Sequence, residues 1–452
     1  MRYLTLAALA GTLSPLFALA DTPPNDVPLE ELHAWDTYTV ESDGRYTFDT
    51  DYAILVRNDE GVHRFAQVSF PYSESRETLD VIEAYTETPD GRKIPVPPDR
   101  ILTKESAATM NAAMFADVKI KIIVFPDVEV KSTLHYKTRQ TVKEPLFPGF
   151  VSIEDLVDQH VLDDDDRITV YAAKGLKFAQ DVVGFKGGII RCPADQADRT
   201  CYSWTAHNTD YVPPENGAVS AADYGQHVVL SNFANYEGIA AAYWSRAADK
   251  GEVSPATQSL ADDLTRGISD PRAQAEALYN WVAHDIRYVA VSVGAGSVVP
   301  HSAEQVLANR YGDCKDHVTL LHALLAAKHI DSVGVLVGAN HRWVLPGAAD
   351  NRVFNHIITY IPALNLYVDS TSQFSRFGQL PEIEVGKLGL KTQPAPGTRR
   401  LEPIVSTQSQ ANMTTNVVLQ LNEDGSASGT ADAQLTGNME IAVRAAFAHF
   451  PP

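Results

Sequence analysis

Two hydrophobic periodicities divide this chain. Over residues 37–204 apolar positions alternate with polar ones: Phe48, Tyr52, Ile54 and Val56 share one parity, and short apolar runs recur at 81–85, 93–96, 120–125 and 132–136. Alternation of this kind predicts strands with one buried face. The turn Thr88-Pro89-Asp90-Gly91 separates two of these runs and predicts a hairpin. Many short strands with turn signals between them predict an antiparallel β-sandwich over residues 37–231. The acidic run 163–166 lacks the spaced carboxylates and glycine of a calcium loop and is expected to be a solvated loop.

After residue 232 the spacing becomes helical. Segments 236–248 and 255–268 have helical periodicity, and Asp270 before Pro271 marks the start of a stronger helix. Ala277, Leu278, Trp281, Val282 and Ile286 form its buried stripe. A further helix is predicted over 314–329, with Val318, Leu321, Leu324 and Leu325 inward, followed by strands at 333–337, 354–361 and 366–369. Helices followed by strands predict a compact α+β domain over residues 232–391. Residues 392–409 are rich in Pro, Gly, Ser, Thr and Gln and read as a linker. Beyond it, two runs flank Asn422-Glu423-Asp424-Gly425, another hairpin signal. Two strands cannot bury a core alone, so residues 410–452 are expected to be the opening of a C-terminal β-domain that is incomplete here.

Composition narrows the setting. The chain has 452 residues and is 44% hydrophobic, enough for real cores. With 57 acidic against 37 basic residues its formal charge is -20, the wrong field for a nucleic-acid partner. Residues 1–20 combine Arg2, an apolar stretch and the cleavage pattern Ala18-Leu19-Ala20, which together predict a secretory signal peptide. No later stretch is long and apolar enough to cross a bilayer. The expected location is therefore periplasmic or secreted, where disulfides form. Of the 3 cysteines, Cys192 and Cys201 bracket a short polar loop and are expected to bridge, which leaves Cys314 free.

Cys314 lies in the densest polar stretch of the chain, Asn309-Arg310-Tyr311-Gly312-Asp313-Cys314-Lys315-Asp316-His317. Gly312 allows a sharp turn, and Cys314 then falls at a helix N-terminus, where free N–H groups favour an anion. Such a position suits a nucleophilic thiol and an oxyanion beside it. A nucleophilic Cys needs a base, and the base an orienting group. His356 is on a predicted strand that turns at 362–365 and returns towards Asp369. If Ile361 pairs with Leu366, His356 and Asp369 become diagonal neighbours, roughly 7–8 Å apart at the backbone and within side-chain reach. An Asp accepting from this His would fix its tautomer. Asp313 and Asp316 are read as caps of the Cys helix, and His317 as an exposed helical residue. No zinc-spaced cluster, phosphate loop or dinucleotide fingerprint occurs, so neither a metal nor a cofactor is predicted.

These residues resemble an exported bacterial transglutaminase-like family with an N-terminal β-domain of unknown function. Pro300-His301-Ser302-Ala303-Glu304-Gln305-Val306-Leu307, leading to Arg310 through His317, resembles its nucleophile motif. Asn355-His356 and Tyr367-Val368-Asp369-Ser370-Thr371 resemble its base and acid motifs. The resemblance implies an α+β chain: an N-terminal β-sandwich, a papain-like core with the Cys helix against an antiparallel sheet, and a further C-terminal β-domain. It also implies an oxyanion donor upstream of the Cys, for which Tyr288 is a candidate. The implied activity is cysteine acyl transfer on a protein or peptide substrate, with hydrolysis of peptide or amide bonds favoured over crosslinking to an amine. An inactive binding or scaffold module and a cell-wall amidase of another papain-like family are the alternatives.

Overall fold

The computed structural model describes residues 27–105, 117–289, 298–393, 401–405 and 412–448. The predicted signal peptide and most of the predicted linker lie outside these residues. In chain order the first half forms β1 (Leu29–Val40), β2 (Tyr46–Val56), α1 (Asp59–Phe65), β3 (Gln67–Ser73), β4 (Glu77–Glu87), β5 (Lys93–Pro95), β6 (Ile101–Glu105), β7 (Val118–Val124), β8 (Thr133–Val142), β9 (Ser152–Leu156), β10 (Leu162–Ala173), β11 (Ala179–Val183), β12 (Lys186–Ile190), β13 (Arg199–Asn208) and β14 (His227–Ser231). An eight-stranded sheet, ordered β12-β13-β10-β1-β2-β8-β4-β5, faces two three-stranded sheets, β3-β7-β6 and β11-β14-β9. Alternation sets the packing. On β2, Tyr46 and Phe48 meet one small sheet, while Tyr52 and Ile54, on the same parity, meet the other. Every pairing in the large sheet is antiparallel except β1 with β10, which is parallel. Gly91 takes a positive φ of 83° in the predicted hairpin turn, and β4 pairs with β5 across it. Cys192 and Cys201 are disulfide-bonded, with Cα atoms 5.3 Å apart.

The acidic run is not a loop. Residues 163–166 lie within β10, and a register shift there turns both Asp163 and Asp166 out of solvent, at 2% and 6% exposure. Asp36 on β1 is buried on the same face, and Glu31 and Asp155 are partly buried nearby. Burial, then the neighbouring carboxylates, pushes Glu31 up to about 8, Asp163 to about 7 and Asp166 to about 9. The native state therefore holds protons that the unfolded chain releases at ordinary carboxylate pKa values. Between those values and pH 9 the unfolded state binds fewer protons, so stability falls as pH rises. Thermal unfolding of the oxidised protein is expected at a lower temperature at pH 9 than at pH 5.5. Asp166→Asn should flatten that dependence, and an unchanged slope would contradict it.

The second half begins with α2 (Tyr236–Ala247), α3 (Pro255–Leu264) and α4 (Pro271–Asp285). Asp270 caps α4 by accepting from Ala273 N at 3.1 Å, with Pro271 in the first turn. Next come β15 (Arg287–Tyr288), α5 (Ala303–Asn309), β16 (Tyr311–Gly312) and α6 (Cys314–Ala326). The five-stranded sheet β19-β18-β17-β20-β21 is built from β17 (Val333–Val337), β18 (His356–Ile361), β19 (Leu366–Val368), β20 (Leu388–Lys391) and β21 (Leu401–Pro403). α6 is enclosed on nearly all sides. Leu320, Leu321 and Leu324 pack with Leu278, Tyr279, Ile361 and Val368, while Val318 packs with Ile239, Leu336 and Ile357. The hairpin predicted around Gly425 is present as β22 (Asn412–Leu421) and β23 (Ala427–Thr436), followed by α7 (Asn438–Ala448).

Carboxylates of the β-domain hold the segment between β17 and β18, which ends at His356. Glu154 binds Arg342 at 2.7 Å. Asp223 accepts from the backbone N–H groups of Trp343 and Val344, both at 2.9 Å, and Asp181 accepts from Gly347 N at 2.6 Å. All are charge-assisted, the first from a guanidinium and the others from backbone N–H groups, the stronger class.

Candidate active site

Three short-range devices place Cys314. Asp313 is the N-cap of α6, accepting from the N–H groups of Lys315 and Asp316 at 3.1 and 3.4 Å. Its side chain also pairs with the Lys315 ammonium, both groups being buried. Asp316 completes the capping box from the third position and accepts from His301 N at 2.8 Å, tying the preceding segment to the helix. Gly312 is needed for space: a Cβ there would lie 2.5 Å from Asp316 Cβ. The two aspartates are thus caps, as their spacing predicts. Cys314 is the one free thiol among the described residues, half-buried at the start of the helix.

β18 and β19 carry the other two groups. Ile361 pairs with Leu366 as expected, and Thr359 with Val368, so the register continues towards Asp369. His356 Nε2 lies 3.3 Å from Asp369 Oδ2. Cys314 and His356 line the same cavity, and with Nε2 turned to Asp369 the other ring nitrogen, Nδ1, is the one left for the thiol. Asp369 is buried and also accepts from Thr371 N at 2.9 Å and Thr371 Oγ1 at 2.7 Å. Burial opposes a charge on His356, but the Asp369 carboxylate, with Cys314 beside it, outweighs it and holds the imidazolium pKa well above its ordinary value. Burial likewise opposes ionisation of Asp369, and His356 and Thr371 reverse that to a net lowering. The structure therefore gathers Cys314, His356 and Asp369 in one constellation.

Comparison with known proteins follows the same division of the chain. Residues 42–213 match the family model of DUF3857, a domain of unknown function with solved structures. Residues 258–343 match the model of the transglutaminase-like superfamily. This chain carries a transglutaminase-like domain. A crystal structure of a "putative protease" from Parabacteroides distasonis ATCC 8503 superposes with a TM-score of 0.71 at 13% identity, covering 86% of this chain and 77% of that one. That likeness establishes a shared fold across both domains. The "putative cysteine protease" from Cytophaga hutchinsonii is 12% identical and spans 90% of this chain and 92% of its own, with a TM-score of 0.23 that supports no further argument. No curated protein matches the chain.

Within the transglutaminase-like domain the structure adds residues that the sequence reading missed. Glu384, only 2% exposed, lies with Oε1 3.7 Å from His356 Nε2. Burial, then the charge of Asp369, holds its carboxyl well above the usual carboxylate range. His356, Asp369 and Glu384 present donor atoms within 4.8 Å of one another, a set that could also hold a metal ion. His317 is not an exposed helical residue. It is 1% exposed, with Nδ1 3.0 Å from the Ser370 carbonyl, so Nδ1 donates and Nε2 is left as an acceptor. Tyr288 pairs with Gly312 between β15 and β16, beside the Cys helix, and its ring lies 6.0 Å from that of His317. Partial burial and the charge on Cys314 push its phenol up, so it stands as an O–H donor.

Proposed function

We propose that this protein is an exported cysteine acyl-transfer enzyme that hydrolyses peptide or amide bonds. The observation that carries the reading is His356, bonded to the Asp369 carboxylate, on the same cavity as the Cys314 thiol at a helix N-terminus. With the thiol proton resting on His356 as an imidazolium, the Cys314 thiolate bonds to the carbonyl carbon, and the C–N bond breaks as His356 gives that proton to the leaving amine. Water then attacks the thioester, giving up a proton through His356 and releasing a carboxylic acid and the free thiol. The N–H groups at the start of α6, with the Tyr288 hydroxyl, supply donors for the oxyanion. Asp369 orients His356 and stabilises the imidazolium. The bridged pair Cys192–Cys201 supports a periplasmic or secreted setting. The substrate is a protein or peptide.

The test is to trap the intermediate. Activated esters of short acyl peptides should give an acyl adduct on Cys314, seen by mass spectrometry, which decays to free acid in buffer. Decay mainly to an amide when a primary amine is added would favour crosslinking. A folded protein that forms no adduct would support an inactive binding module instead.

A further inference from the structure

A cavity of about 220 Å³ opens directly on Cys314 and His356. Its walls are Ile239, Tyr243, Leu336 and Phe354 from the transglutaminase-like half, and Leu146 and Phe147 from the β-domain. It is smaller than the roughly 300–1,000 Å³ of clefts that take whole drug-sized ligands, and suits one side chain. Two cations, Lys315 and Arg352, also line it and at first suggest an acidic ligand. Both are already committed. Lys315 pairs with Asp313, and Arg352 binds Asp350 through two contacts of 3.1 and 2.9 Å, with Glu154 4.0 Å away. With those charges neutralised inside the protein, the cavity surface is mostly apolar, with Asn351 and Asn355 as neutral polar groups on it.

We infer that this cavity is a specificity pocket for an apolar side chain beside the reacting carbonyl, completed by Leu146 and Phe147 of the β-domain. This rests on the acyl-transfer reading and gives the domain of unknown function a part in it. A substrate side chain of leucine size would displace water from the apolar walls, while a carboxylate or ammonium there would lose its hydration and meet no uncompensated countercharge. One methylene in such a pocket discriminates by roughly 10- to 200-fold.

Labelling of Cys314 by N-substituted chloroacetamides tests this. Thiol sulfur attacks the CH2 carbon, chloride leaves, and a thioether mass marks the site. N-isobutyl chloroacetamide should label with saturation and at least roughly tenfold faster than the N-methyl reagent, after correction for their rates with free cysteine. The N-carboxymethyl reagent should gain nothing. Leu146 is half-buried, so Leu146→Glu puts a charge on the wall, and the isobutyl-to-methyl ratio should collapse. Should that variant misfold, protection of the wild-type thiol from iodoacetamide by isobutyramide, but not by succinamate, reads the same preference. Equal corrected rates, or fastest labelling by the carboxymethyl reagent, would overturn the inference. Failure of iodoacetamide itself to label folded protein would instead remove the acyl-transfer reading.

Discussion

His356→Ala is expected to lower turnover of an acyl substrate by roughly 100- to 10,000-fold, the usual contribution of a positioned general base. The substitution removes the acceptor of the Cys314 proton and the donor that returns it to the leaving amine. It also removes the partner of a buried carboxylate. Asp369 would keep Thr371 but lose the neighbour that lowers its pKa, so its carboxyl should move upward. Removing one member of a buried pair is destabilising, and thermal unfolding measured alongside turnover separates the two effects. Wild-type activity should fall only above the ordinary imidazole range, because the folded site holds the His356 proton to higher pH. A wild-type alkaline limb near pH 6.5, or a variant retaining full turnover, would contradict the assignment.

Asp369→Asn should cost roughly 1,000- to 10,000-fold in kcat/KM, because an amide neither stabilises the imidazolium nor enforces one tautomer. The shift has a definite sign. Asp369 is the leading partner that raises the His356 pKa against burial, so its loss should move the alkaline limb to lower pH. Glu384→Gln is the informative contrast. Glu384 is buried with its carboxyl held well above the usual range, and glutamine keeps its shape without a charge, so kcat/KM should change little. Glu384→Ala instead leaves a void in a buried site, and its thermal unfolding should come at a lower temperature. EDTA should leave wild-type activity intact if the cysteine mechanism uses no metal. Loss of activity to EDTA and its return with zinc would assign His356, Asp369 and Glu384 to a metal.

What the sequence disclosed and what it hid follow from range. The Ile361–Leu366 pairing was readable because the hairpin closes over a single turn, which fixes where His356 and Asp369 fall. The caps of α6 were readable because Asp313 and Asp316 act on N–H groups of the same turn. The parallel β1–β10 pairing was not, since it joins strands more than a hundred residues apart with no local signal. The buried acids of β10 were hidden for a related reason: alternation gives a strand two faces, but a register shift decides which carboxylates turn inward. His317 looked exposed because the leucine stripe accounts for one side of α6, whereas the structure covers the others too. Glu384 follows Pro381 in an irregular turn and has no periodicity to betray it.

The segment latched by Glu154, Asp181 and Asp223 makes the two domains a single unit of inheritance. A substitution at one of these carboxylates should be felt at His356, 9 to 14 residues downstream of the anchors at 342–347, although it falls in the other domain. Recombination that grafted an unrelated sandwich onto the catalytic half would leave that histidine without its moorings and strip Leu146 and Phe147 from the cavity wall. Lineages are expected to keep or lose the pair together, and catalytic change in this architecture can begin in the domain that carries no catalytic group.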